Sequence, residues 1–478
     1  MKQLNSIEHM YFDMEAGNMS LDVSSVHFYD PSTAPSGKVT FAQIFNRINA
    51  GIDKLPMLRR KLVTVPLGLD HPYWIDDPDF DLGNHLQHIE LAEPGDWRQL
   101  MATVEELFSQ DIPRDKPLWF GAIITGIKGV EGLPDNCYAM FWKMHHAAVD
   151  GASGRLIQET VHDLKPKGVR KASSVGDWGE RDIPSSASLL VKAYPNNLKK
   201  MFRAAGAVTR AATGLAREAR KNRQDKSGNL EEYAVASPPG LPETLFNPKK
   251  PGDDLRIDGT LFDLADVKAI RKLYPGATLN DVVFAIIAGA MRRYLVLYDD
   301  LPNEPLVAGM PMDIRGEGDE DASVMVMPIM SNLYSDVEDP VERLELTHKS
   351  NLAGKDANSV ERTRPIISVM ENVPHPVVSP LMRAVAWLAD RSGTLGMHTL
   401  ITNVPGIPVP IYLAGGRMVG LMGIVPVAGR TGLTHAVFST PDTLSITATC
   451  DTAVMEELDE YIECLQDSFD EYMELLDD

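Results

Sequence analysis

The run Tyr138-Ala139-Met140-Phe141-Trp142-Lys143-Met144 ends on His145-His146, and after three intervening residues comes Asp150-Gly151. Aromatic and apolar residues packed this densely suit a buried strand. Side chains alternate faces along a strand, so the two histidines must point to opposite sides of the sheet. His146 would share a face with Met144, Trp142 and Met140, and His145 with Lys143 and Phe141. Only one of the pair can be the reactive group in a given cavity, and the other is free to be structural.

An imidazole titrates near neutrality, so it can take a proton from a weakly acidic nucleophile and hand it on later. Asp150 could orient such a ring, or pair with an arginine and hold the turn. The spacing alone leaves both open. His9 and Asp13 repeat the bare His-x-x-x-Asp spacing without the second histidine or the glycine. A satisfied buried histidine accounts for a match of that kind.

The full His-His-x-x-x-Asp-Gly motif resembles the active-site signature of the CoA-dependent acyltransferase superfamily, which is shared with the condensation domains of nonribosomal peptide synthetases. Pro117-Leu118-Trp119, Asn280-Asp281 and Asn403-Val404-Pro405-Gly406 follow in the order seen in the bacterial wax ester synthase/diacylglycerol acyltransferase family. The resemblance extends over nearly the whole chain. It implies an α/β (α+β) fold of two chloramphenicol-acetyltransferase-like domains with a tunnel at their interface. Acyl-CoA is then a substrate, the acceptor is a fatty alcohol or diacylglycerol, and no metal or organic cofactor is needed.

Carried over residue by residue, His146 matches the catalytic base, His145 its structural neighbour, and Asp150-Gly151 the turn. Condensation domains with this motif place an arginine from an early Leu-Arg element against the aspartate. Leu58-Arg59 matches that element, with Arg60 as the alternative. Asn280 reads either as an oxyanion or positioning group or as a helix-capping residue, with Asp281 beside it. Trp142, Met144, Ala285, Gly289 and Asn403 are the candidate substrate contacts, and core packing is the competing account of Ala285 and Gly289. Two other functions fit the same fold: condensation on carrier-bound substrates, and non-catalytic lipid binding. The lone pair of domains and the Pro-Leu-Trp and Asn-Val-Pro-Gly elements favour the first reading, and the intact motif argues against decay.

At 478 residues the chain exceeds one ordinary core, so two domains are expected. We divide it at 1–185 for the motif-bearing domain, 186–240 for a connector, and 241–478 for the second domain. A net charge of -21 argues against nucleic-acid affinity, and the cysteines show no zinc-like spacing. Three scattered cysteines fit a reducing cytoplasm. The longest notable apolar run, residues 282–291, is about half a bilayer span. Residues 189–226 hold ten Lys or Arg against two acidic residues. That is either a solvated linker helix or a surface for anionic headgroups or CoA phosphates, which would make the protein peripheral to a membrane or lipid droplet.

The remaining pattern alternates helices and strands. Helical spacing predicts 7–14, 41–55, 97–109, 155–164, 282–298, 340–358 and 378–390, with a helical turn over 58–62. Strands are expected at 23–29, 119–127, 258–262, 306–314, 324–333, 400–404 and 444–450, and a last acidic helix opening at Asp451.

Overall fold

A computed structural model of the chain describes residues 1–15, 20–149, 151–166, 183–224, 241–250, 254–313, 326–357, 372–392 and 396–477, with a few single residues between them. The first half contributes strands β1 Lys2–Gln3, β2 Asp22–Asp30, β3 Arg60–Val63, β4 Tyr73–Asp76, β5 Leu86–Glu90, β6 Trp119–Thr125 and β7 Tyr138–His145. The second contributes β8 Leu255–Asp263, β9 Val307–Asp313, β10 Val326–Asn332, β11 Thr399–Val404, β12 Tyr412–Leu413, β13 Gly416–Ile424, β14 Leu433–Ser439 and β15 Thr443–Asp451. The helices are α1 Ser6–Met14, α2 Phe41–Asn49, α3 Trp97–Ser109, α4 Gly151–Val161, α5 Ser186–Gln224, α6 Leu264–Ile270, α7 Leu279–Leu297, α8 Pro340–Ala357, α9 His375–Ser392 and α10 Asp459–Asp477.

Two six-stranded mixed sheets form the frame, ordered β12-β13-β2-β7-β6-β5 and β10-β9-β11-β14-β15-β8. The motif strand β7 lies near the middle of the first, antiparallel to β2 and β6. All eight of its residues are buried, which is why it reads as a continuous apolar run. Residues 412–424, late in the chain, complete this sheet by pairing β13 with β2. The same strand joins the two sheets: Ser445 Oγ donates to the Leu421 carbonyl at 2.6 Å, and the Phe438 ring fills the space beside Gly423.

Capping explains where the two helices nearest the functional groups begin. At α1, Asn5 Oδ1 accepts from the Glu8 N–H at 2.7 Å and the Glu8 carboxylate accepts from the Asn5 N–H at 2.9 Å. Thr278 and Asp281 repeat this reciprocal box at α7. Helix α7 is apolar nearly all round and is buried from Val282 to Met291 in the second-lobe core, as its pattern predicted. Each large apolar side chain there contributes about 1.5–3 kcal/mol by leaving water.

Two expectations are corrected. Residues 60–63 form strand β3, not a helical turn, because they pair with β4 from Arg60↔Asp76 to Val63↔Tyr73. Asp451 does not open the last helix. It ends β15, where its carboxylate accepts from the backbone N–H groups of Gly252 and Ala453, and α10 starts only at Asp459.

Candidate active site

The backbone at the end of β7 is held from both sides. The His145 N–H donates to the Leu118 carbonyl at 3.0 Å, and the His146 N–H to the Leu21 carbonyl at 2.9 Å. The Pro-Leu-Trp element is therefore a direct neighbour of the histidine pair. Its Trp119 is buried, donates Nε1–H to the Leu58 carbonyl at 2.6 Å, and lies 5.3 Å from Trp142.

The strand ends at His145, and His146 belongs to the turn that follows, so strict alternation does not carry over to it. The rings nevertheless diverge, because consecutive residues of α1 receive them. His145 stacks on Phe12 at 4.4 Å and His146 on Tyr11 at 4.6 Å. His145 is fully buried with both nitrogens engaged. The Ala147 N–H donates to its Nδ1 at 3.1 Å, which leaves the proton on Nε2 to be donated to Glu15 Oε1 at 3.0 Å. Burial opposes charge on Glu15, but the bonds from His145 and Arg114, with the Arg114 charge, outweigh it and hold its pKa below the ordinary value. His146 is only half-buried.

Glu15, Tyr11 and Phe12 were not singled out from the sequence. Nothing in their spacing signals them, since Glu15 lies 130 positions from its partner. His9 and Asp13 of the same helix turn away from this pair, to His71 and His375 and to Ser379 respectively.

Asp150 lies outside the described residues, and Gly151 begins α4. Among described residues, Arg59 Nε meets Asp76 Oδ1 at 3.0 Å, and its Nη1 donates to the carbonyls of Ile52 and Asp53. Arg60 approaches the same carboxylate at 3.7 Å.

In the second lobe, two of the sequence elements meet. Asn403 Nδ2 donates to Asn280 Oδ1 at 3.2 Å, and Asn280 Nδ2 faces the Met310 sulfur at 3.3 Å. Gly406 of the Asn-Val-Pro-Gly element cannot carry a Cβ, which would collide with the Ser439 carbonyl. Ile407, next in sequence, packs on the apolar cluster that holds Trp142, Met144 and Trp119. The elements carrying Asn403 and His146 thus border one cluster.

Asp281 behaves differently from Asn280. Its carboxylate accepts from Thr278 N–H and Oγ1–H, His348 Nδ1 and Asn351 Nδ2, each at 2.8 Å. Burial alone would raise its pKa, but these bonds prevail and lower it. Asp281 is a helix-start anchor. Gly289 is also placed by packing: a Cβ there would strike Ser468 Oγ of α10 and come within 3.1 Å of Arg343 Nη2. Ala285 lies fully buried in the same core. The expectation that these two positions line an acyl chain gives way to helix–helix contact at Gly289 and core packing at Ala285.

The wax ester synthase/diacylglycerol acyltransferase catalytic domain matches residues 4–283, and the C-terminal domain of the same family matches 322–473. The chain belongs to this family. It is an acyltransferase. One relative, a Mycobacterium tuberculosis protein provisionally named a diacylglycerol O-acyltransferase, is 28% identical over 92% of this chain and 84% of its own length. A second from that organism, named likewise, is 28% identical over 92% of each. Among solved structures, the wax ester synthase/diacylglycerol acyltransferase of Marinobacter aquaeolei superposes over 100% of both chains with a TM-score of 0.67 at 21% identity. A trichothecene 15-O-acetyltransferase of Fusarium sporotrichioides covers 99% of this chain and 94% of its own, with a TM-score of 0.57 at 12% identity. These likenesses bear out the expected two-lobed α/β fold.

Proposed function

We propose that this acyltransferase moves a long-chain acyl group from acyl-CoA to the hydroxyl of diacylglycerol or a fatty alcohol, with His146 as general base. The observation that carries the assignment is the contrast between two adjacent rings. His145 has no exposed surface, whereas His146 keeps some, half-buried just past the strand end against Tyr11.

The acceptor hydroxyl gives its proton to His146 as its oxygen attacks the thioester carbonyl. The C–S bond then breaks, and the imidazolium returns the proton to the CoA thiolate. The step balances with acyl-CoA as substrate and no cofactor. A base of this kind contributes about 10²–10⁴ in rate, so positioning and charge stabilisation must supply the rest. The Asn280–Asn403 pair is our candidate for that part, because one amide orients the other. Asp150 we assign to architecture, paired with Arg59 or Arg60 to hold the turn. A double-mutant cycle of Asp150→Asn with Arg59→Ala would show coupling if this is so, and simple additivity would refute it for Arg59.

The reading extends to an anionic lipid surface. Helix α5 exposes Val191, Tyr194, Met201 and Phe202, and α9 exposes Val377, Leu381, Val385 and Leu388. The 66–70 loop ties them together, since Gly68 O accepts from His375 and Leu69 O from Asn197, with Leu67 at its exposed tip. Lys192, Lys199 and Arg203 lie exposed on the same stretch of α5. Each basic residue near an anionic surface contributes about 1 kcal/mol. No helix among the described residues is long and apolar enough to cross a membrane, so contact would be from one side.

Release of CoA thiol from palmitoyl-CoA, measured against a panel of fatty alcohols and diacylglycerol, tests the chemistry. No release with any acceptor would refute it. Vesicle co-sedimentation at low and high salt tests the surface, and binding unchanged by reversing Lys192, Lys199 and Arg203 would refute that part.

A further inference from the structure

Helix α1 carries a second group of histidines one turn before the residues that receive His145 and His146. His9 on α1, His71 just before β4 and His375 at the start of α9 each offer a nitrogen, and these atoms lie within 4.8 Å of one another. We infer that these three side chains form a binding site for one divalent late-transition-metal ion of the Zn²⁺ type, separate from the acyl-transfer centre.

The donors are close together, but His71 approaches one nitrogen of His9 and His375 the other, so His9 must turn to present a single nitrogen to the ion. His9 Nδ1 and His71 Nδ1 are 3.0 Å apart, and His9 Nε2 and His375 Nε2 are 3.3 Å apart. Nitrogens bound tetrahedrally to zinc at about 2.0–2.1 Å stand roughly 3.3 Å from each other. The outer partners are also those a metal-ligating histidine uses. His375 donates Nδ1–H to the Gly68 carbonyl at 2.8 Å, which leaves the lone pair of Nε2 as its donor to an ion. Ser6 Oγ lies 3.3 Å from His71 Nε2 and can accept its proton, leaving His71 Nδ1 as the donor atom to the ion.

The three rings pack directly on one another. His9 and His375 stack at 4.1 Å with planes 9° apart, and His71 stands at 69° and 70° to them, facing both. Ligation requires the stacked rings to splay about their side-chain bonds. His9 retains some solvent exposure, so an ion has a way in.

The charge balance keeps the donors neutral. Burial, the nearby Lys200 and the neighbouring histidines hold His71 down to about 2, and burial with His375, Lys200 and Arg383 holds His9 down to about 3. His375 is likewise lowered, mainly by burial. The carboxylates of Asp70 and Asp13 face the cluster, and Lys200 lies 3.9 Å from Asp70, which offsets the ammonium charge.

A bound ion would staple α9, with its exposed apolar side, to α1 and the 66–71 loop. Three nitrogens leave a fourth position for water.

Co²⁺ serves as a spectroscopic probe of the site. The untagged full chain, stripped by chelator, should take up one Co²⁺ with the visible absorption of a tetrahedral complex, be displaced by Zn²⁺, and melt several degrees higher with Zn²⁺ present. His71→Gln and His375→Gln should each weaken binding by about 10–100-fold, while His88→Ala, an exposed histidine on β5, should not. Absence of a Co²⁺ spectrum in the unmodified chain overturns the site whatever the variants do. So does binding that only His88→Ala removes.

Discussion

Each half of the chain sets a carboxylate against a histidine, and the two pairs differ in what lies next to them. Glu15 meets His145 at 3.0 Å in the first lobe, and Asp281 meets His348 at 2.8 Å in the second. Around Asp281 both oxygens are taken by groups of α7's first turn and of α8, and the network closes there. Around Glu15 the network holds one ring rigid, and the next residue is a second histidine at the strand end. A carboxylate–histidine contact is thus no mark of catalysis by itself. What matters is the group beside the contact, here a second histidine that keeps some solvent exposure.

That comparison predicts its own largest effect. His146→Ala should lower single-turnover CoA release by about 10²–10⁴ while leaving the thermal midpoint close to that of the unmodified protein. His145→Ala should instead lower the midpoint, because it removes a fully buried ring and leaves Glu15 with Arg114 alone. The reverse pattern, activity retained without His146 and lost without His145 in a well-folded chain, would exchange the two roles.

The next effect concerns the closed network. Asp281→Ala leaves His348, Asn351 and Thr278 without their acceptor, and should reduce stability by about 3–5 kcal/mol in urea denaturation. Its pH dependence has a definite sign. Burial raises the Asp281 pKa, but the bonds from Asn351, His348 and Thr278 bring it below the ordinary 3.8. The unfolded chain therefore binds more protons there as pH falls. The stabilisation is complete above about pH 4 and fades as pH drops through the folded value. The gap between unmodified protein and Asp281→Asn should narrow in that acid window. A gap constant down to pH 2 would show that the carboxylate charge is not what anchors α7.

The sequence carried the frame unevenly, and the reasons are local. Trp97–Ser109 was legible to the residue, and α7 announced its burial through apolar residues on every side. Strand β13 was not, and its Gly420 and Gly423 make room for Phe28 on the neighbouring strand and for Leu261 and Phe438 of the other sheet. Strand β3 was taken for a helical turn because a four-residue run has no period of its own, and pairing with β4 decides it. In the site, the histidine pair and Asn280 with Asn403 were legible as motifs. Glu15 and the His9–His71–His375 group were not, because their partners lie 62 to 366 positions away.

The smallest effect tests where the lobe interior ends and a substrate channel begins. Gly289 was a candidate acyl contact, and the packing assigns it instead to the contact between α7 and α10. Gly289→Ala adds one methyl group against Ser468 Oγ, which itself donates to the Ile286 carbonyl at 2.8 Å, and against Arg343, whose Nη2 holds Glu471 at 2.8 Å. Neither partner can withdraw without breaking a buried bond, so overpacking should reduce stability by about 1–3 kcal/mol. Truncating the obstacle in the double variant Gly289→Ala with Ser468→Ala should recover part of that loss. Preference among acyl chain lengths should stay unchanged in both. A shift towards shorter chains with stability intact would mean that the methyl group meets substrate, and would return Gly289 from the helix interface to the acyl site.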